Sequence, residues 1–226
     1  MTDSLFIPVA GDGKVVMSNG VVVSANMTDK GLLSQYAPDG RFIRYDVDLP
    51  PSSEFGDGLP SYAVYNFMQP IIAASPDGKH FASSFGSADM FSIGTVDGDT
   101  VSVKTNYVSA PKGVKIKLGD GFFSFEYDDS YMTTYKGYPR LSDNYIYSWY
   151  VNRPQKEELK ELKMMMEGEQ PVEAKLSVYD FEGNLRRVII LDSLPLAFDV
   201  TADDSTLYVI TETDEDGRYL LRYTLK

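Results

Sequence analysis

The chain of 226 residues carries 33 acidic against 21 basic residues, a net charge of −12. Such a surface repels phosphate backbones and anionic bilayers, so neither nucleic acid nor an anionic membrane is an expected partner. Cysteine is absent, which excludes disulfides, thiolate nucleophiles, iron–sulfur clusters and zinc sites of the Cys type.

The length suits one sizeable core, and an aromatic content of 13% with 16 Tyr and 12 Phe favours strands. No apolar run reaches the roughly 18 residues needed to span a bilayer. The opening Met1-Thr2-Asp3-Ser4 has neither the basic nor the apolar region of a signal peptide, so none is expected in this chain.

In chain order, the first segment with strand character is Leu5-Phe6-Ile7-Pro8-Val9. A first four-stranded unit follows, predicted at Lys14–Ser18, Gly20–Ala25, Leu32–Ala37 and Arg41–Leu49, with turns at Asn19-Gly20 and Asp39-Gly40. Asp-Gly and Asn-Gly between apolar runs mark hairpins because both turn positions need positive φ. In the last of these strands Ile43, Tyr45, Val47 and Leu49 alternate with Arg44, Asp46 and Asp48, the period of an antiparallel sheet with one buried face. Pro50–Gln69 is read as a long connection whose Tyr62, Tyr65 and Phe67 enter the second unit.

The second unit is predicted at Pro70–Ser75, His80–Phe85, Met90–Val96 and Thr100–Tyr107, with turns at Pro76-Asp77-Gly78 and Asp97-Gly98. Another long connection, Val108–Met132, contains a hairpin turn at Gly119-Asp120-Gly121; no lysine and helix follow, so it is not a phosphate loop. The third unit is predicted at Thr133–Leu141, Tyr145–Val151, Lys175–Phe181 and Leu185–Leu191. It is interrupted by an insertion at Arg153–Gln170. Pro154 opens a helix there, Glu157 and Glu158 favour its N-terminal dipole, Leu159, Leu162 and Met166 form one stripe, and Gly168 and Pro171 end it. The stripe is read as packing onto the sheets. The last unit has three strands, Leu196–Val200, Thr206–Glu212 and Arg218–Leu225.

The first turns of the units begin at Ser18, Ser75, Ser142 and Ala202, giving separations of 57, 67 and 60 residues. A repeat of this kind predicts an all-β fold, a β-propeller of four-stranded antiparallel blades with about four blades visible, one short inserted helix and a single domain over residues 1–226. Two explanations of the three-stranded last unit fit equally: Leu5–Val9 closes the ring, or it belongs to a preceding blade and upstream blades are absent.

Strand alternation then sends the tight turns to one rim and the long connections, together with the helix, to the other. Loops held by a rigid scaffold carry most binding residues, so the long-loop rim is the expected functional face. Its aromatic and polar residues suit a carbohydrate, a peptide or a protein partner. The candidate ligand-binding residues are Tyr131, Arg140, Trp149, Tyr150 and Arg153; Trp149 could equally fill the space between blades.

Catalytic constellations are sparse. His80 is the one histidine and is read as a solvated residue beside a tight turn, so triads and His-based metal sites are excluded. No catalytic residue, metal or cofactor is assigned. Acids at Glu54, Asp57, Glu126, Asp128 and Asp129 could serve glycoside hydrolysis as a pair. Calcium is the least implausible metal, at Asp128-Asp129 or Asp214-Glu215-Asp216-Gly217, although neither has the spacing of a calcium loop. A noncatalytic binding propeller is the leading expectation, with a carboxylate-dependent glycoside hydrolase or lyase acting in the channel as the alternative.

Ser75-Pro76-Asp77-Gly78-Lys79 resembles the first turn of TolB-type propeller blades. Val178-Tyr179-Asp180-Phe181-Glu182-Gly183-Asn184, Asp203–Ile210 and Tyr219-Leu220-Leu221-Arg222-Tyr223 are similar to segments of the TolB-like six-bladed propellers, a family of hypothetical exported lipoproteins of gut anaerobes. The resemblance implies a six-bladed ring, a periplasmic or outer-membrane location, and no established activity. The chain departs from the family in showing about four blades and no lipoprotein cysteine.

Overall fold

In the computed structural model, residues 13–225 are described except 29, 57–58, 69, 87, 120–121, 168–173 and 214–216. Each predicted unit is a sheet whose strands pair in sequence order. Blade 1 comprises β1 (Lys14–Val16), β2 (Val22–Thr28), β3 (Gly31–Tyr36) and β4 (Phe42–Asp46). The helix α1 (Ser61–Met68) leads to blade 2, formed by β5 (Pro70–Ala74), β6 (His80–Phe85), β7 (Asp89–Asp97) and β8 (Thr100–Ser109). A separate hairpin, β9 (Val114–Leu118) and β10 (Phe123–Tyr127), precedes blade 3. Blade 3 holds β11 (Met132–Leu141), β12 (Ile146–Pro154), the helix α2 (Gln155–Met166), β13 (Ala174–Tyr179) and β14 (Leu185–Leu191). Blade 4 is β15 (Ala197–Val200), β16 (Thr206–Thr213) and β17 (Gly217–Thr224).

The blades stack in chain order through their first strands: β1 lies beside β5, β5 beside β11, and β11 beside β15. Each interface has its own apolar core. Val23, Leu33, Phe81, Phe85 and Met90 fill the space between blades 1 and 2. Ala82, Ile93, Leu141 and Ile146 lie between blades 2 and 3, and Tyr147, Leu176, Val178, Phe198 and Leu207 between blades 3 and 4. Equivalent first turns are also joined by backbone hydrogen bonds, Ser18 N–H to the Gly78 carbonyl at 2.8 Å and Asp143 N–H to the Ala202 carbonyl at 2.9 Å. Face-to-face packing of consecutive four-stranded meanders around their inner strands makes the chain a β-propeller.

The long connections are more ordered than the sequence suggests. Ala63, Val64, Phe67 and Met68 of α1 are buried, and Phe123 and Phe125 of the hairpin pack onto the same core. Phe67 meets Phe55 at 6.0 Å and Phe125 at 4.8 Å between ring centres. Both connections therefore serve as a lid of apolar packing over blades 1 and 2. The alternation expected in β4 is broken at its end: the strand stops at Asp46, Val47 takes φ 64°, and Tyr45 lies exposed against Phe42 with ring centres 4.6 Å apart. The segment Leu5–Val9, proposed to close the ring, lies outside the described residues.

Candidate functional site

Because strands alternate in direction, α1, the β9–β10 hairpin and α2 all fall on one rim, the expected functional face. The lid occupies that rim over blades 1 and 2. Over blades 3 and 4 the described residues leave a cleft of about 410 Å³ that runs from α2 to Arg140 in β11.

A two-residue irregularity in β11 builds one wall of this cleft. Lys136 pairs with Trp149 and Arg140 with Tyr147, so four steps along β11 match two along β12. The extra residues include Gly137, whose φ of 65° suits glycine, and Pro139, which has no N–H for the ladder. The bulge pushes Tyr138 outward to 52% exposure, and Leu159 of α2 and Leu196 before β15 are likewise open at 56% and 55%. Trp149, Phe198 and Pro195 complete an apolar lining, with Gln155 and Glu158 at the helix side.

Arg140 supplies the charged end of the cleft. Its Nε donates to the Phe198 carbonyl at 3.1 Å and one terminal nitrogen to the Pro139 carbonyl at 3.2 Å. The Asp199 carboxylate stands 3.7 Å away, and the guanidinium lies 5.5 Å from the centre of the Tyr138 ring. Two carbonyl acceptors and an aromatic face thus fix its orientation before any ligand arrives.

The five candidate residues do not form one site. Arg140 and Trp149 meet in the cleft. Tyr150, the next residue on β12, faces the other side of the strand, where its hydroxyl donates to Asp89 at 3.0 Å. Arg153 pairs with Glu161 of α2 at 2.6 Å beside a smaller recess of about 300 Å³. Tyr131 is only 9% exposed and packs edge-on against Tyr127 at 4.6 Å; it belongs to the lid core, so its ring is not offered to a ligand. The stripe on α2 is also revised: Leu159 faces the cleft and solvent instead of packing down, while the side chains of Leu162 and Met166 lie outside those described. Tyr138, Leu196 and Phe198 were missed as site residues. The signal for Tyr138 was present in Gly137-Tyr138-Pro139, a bulge signature inside a strand; the other two come from the next blade and have no local sign.

The described rim acids are each taken up by a separate partner. Glu54 accepts from the Tyr107 hydroxyl, and Glu126 pairs with Lys117 at 2.6 Å. Asp128 accepts from the hydroxyl and amide of Ser130, which hold its carboxyl below the usual range. Asp129 pairs with Lys156 at 2.9 Å, so Asp128 and Asp129 do not converge. Asp57 and residues 214–216 lie outside the described residues. His80 is not solvated as expected: it is half-buried and stacks on Phe181 across the blade 2–3 interface, with ring centres 3.7 Å apart. Distant chain segments create this partner, so the turn sequence around His80 gave no sign of it.

No family model matches the chain, and neither does any curated protein. Among solved structures it is similar to a functionally unknown protein from Desulfotomaculum acetoxidans, with 13% identity and a TM-score of 0.41 over 94% of this chain and 54% of that one. It is similar to the periplasmic gluconolactonase PpgL of Pseudomonas aeruginosa, with 14% identity and a TM-score of 0.38 over 94% of this chain and 52% of that one. A third likeness is to the β-propeller domain of Cps50 (Swd1) from Myceliophteria thermophila, with 10% identity and a TM-score of 0.31 over 91% of this chain and 68% of that one. This chain spans about half the length of the first two. All three are distant in sequence.

Proposed function

We propose that the chain is a noncatalytic binding propeller whose ligand sits on the long-loop rim, in the cleft between the β11 bulge, α2 and the start of blade 4. The observation that carries this reading is the joint presence of Trp149, Tyr138, Leu159 and Leu196 around one cleft whose far end holds an oriented Arg140. Exposed aromatic and aliphatic surface of this kind costs free energy in water and is recovered when a ligand covers it. A sugar ring or a peptide side chain has the matching chemistry, a flat apolar face for Trp149 and Tyr138 and a polar edge for Arg140, Gln155 or Glu158.

The rival is a hydrolase or lyase using two carboxylates in the channel. Among the described residues of the inner strands β1, β5, β11 and β15, Asp199 is the single carboxylate, and it faces Arg140. That arrangement favours binding over two-acid chemistry. Kinship with the TolB-like six-bladed propellers, and with it a place in the periplasm or at the outer-membrane surface, belongs to the same proposal and rests on the turn and strand segments described above.

Probing glycan and peptide arrays with the immobilised protein tests the reading. Trp149→Ala and Tyr138→Ala should each weaken a captured ligand by about tenfold or more, with far-ultraviolet circular dichroism unchanged. Unaltered affinity in both folded variants would overturn it.

A further inference from the structure

On the opposite side of β12 from the rim cleft, a second cleft of about 420 Å³ lies between blades 2 and 3. Four aromatic rings line it. Phe91 of β7 lies 5.6 Å from Tyr135 at an interplanar angle of 26°, and 6.0 Å from Tyr179; Tyr150 lies 5.0 Å from Tyr135. Tyr135 is buried and backs the group, while Phe91, Tyr150 and Tyr179 are half-exposed. Register explains the convergence. Tyr150 and Tyr179 occupy the face of blade 3 that also carries Ile146, and Phe91 shares the blade 2 face with Ile93.

One carboxylate, Asp89, stands among these rings. It accepts a hydrogen bond from the Tyr150 hydroxyl at 3.0 Å, and among the described residues no ion pair neutralises it. Burial, followed by the Asp89 charge, drives the Tyr135 and Tyr150 phenols well above their ordinary pKa; burial and, more weakly, Asp89 also raise Tyr179. The cleft has one cation at its margin, Lys104, whose ammonium donates to the Glu182 carbonyl at 3.0 Å.

Ring faces are electronegative and attract cations, most strongly where water is excluded. A half-buried carboxylate without a counter-ion adds to that attraction, and the net charge of −12 raises the local concentration of cations. The cleft's second acid, Glu182, stands at the margin with Lys104. A metal ion would need several converging oxygen ligands, and among the described residues no group of three or more acids or histidines gathers here. We propose that the cleft binds a compact alkylammonium cation, its substituted nitrogen over Phe91, Tyr150 and Tyr179 and its charge balanced by Asp89. The site is separate from the rim cleft, and each can fail without the other.

The test uses choline and tetramethylammonium as probes, with the neutral analogue of choline in which carbon replaces nitrogen as the control. Calorimetry and saturation-transfer NMR on the wild-type chain should show saturable binding of both cations and at least about tenfold weaker binding of the neutral analogue. Asp89→Asn and Phe91→Leu should each weaken choline about tenfold, and Trp149→Ala should leave it unchanged. Equal binding of choline and its neutral analogue, absence of saturable binding, or full choline affinity in Asp89→Asn would overturn the proposal. The wild-type comparison decides even if a variant fails to fold.

Discussion

His80 illustrates how far a residue's surroundings can depart from its place in the sequence. Its ring lies nearly parallel to Phe181, at 7°, and one ring nitrogen shares a hydrogen bond with Thr95 at 3.1 Å. Burial disfavours the imidazolium and wins over the opposing charges of Asp77 and Glu182, so its pKa falls below the ordinary 6.5. The unfolded chain therefore takes up this proton at a higher pH than the folded one. The stabilisation is complete above pH 6.5 and is lost as pH falls through the lowered folded value. Urea unfolding midpoints should decline as pH is lowered from about 7 to about 5, and His80→Phe, which keeps the stacked ring, should flatten that decline. An identical decline in the variant would remove His80 as its cause. The turn Asp77-Gly78 was legible because its chemistry is local. Phe181 was not, because about 100 residues separate it from His80.

At the scale of elements, the strands could be read almost end to end. Asn19-Gly20, Asp39-Gly40, Asp77-Gly78 and Asp97-Gly98 impose hairpin geometry through their own backbone preferences, and β5, β6 and β14 start where alternation places them. The helix α1 escaped because Tyr62, Val64, Tyr65 and Phe67 favour strands; burial of its Ala63, Val64, Phe67 and Met68 face overrides propensity. What locks one blade to the next was equally invisible. Gln35 of β3 is fully buried, donates to the Val101 carbonyl at 2.6 Å and to Asp46 at 2.7 Å, and accepts from the Val101 amide at 3.2 Å. A glutamine in a strand reads as solvent-facing, yet here it continues the hydrogen bonding of blade 1 into the last strand of blade 2. Gln35→Leu strands the Val101 amide, while the Val101 carbonyl keeps Arg44 as a donor, and should lower stability by about 1–3 kcal/mol, measured as a shift in urea midpoint at constant slope. A loss below about 0.5 kcal/mol would show that water replaces the side chain.

For the whole molecule, the unit spacing of 57, 67 and 60 residues was enough to phase four blades, because each blade is a local meander. It also placed the long connections on one rim, but it could not say that two of them fold down into a lid. Among the described residues that leaves the cleft over blades 3 and 4, where residues from β11, β12, α2 and β15 meet. Of the candidate residues, Arg140 and Trp149 line this cleft; Tyr150 faces the other side through the alternation of β12, and Tyr131 packs into the lid. Trp149 is the single tryptophan of the chain, so its emission reports on this cleft without labelling. The most direct measurement is a fluorescence titration of wild-type protein and of Leu196→Arg with a ligand taken from the arrays. Saturable blue-shift or quenching of Trp149 in the wild type, lost in a folded Leu196→Arg, is the expected result. Calorimetric binding of the same ligand with no change in Trp149 emission, or with full affinity in Leu196→Arg, would contradict binding in the cleft.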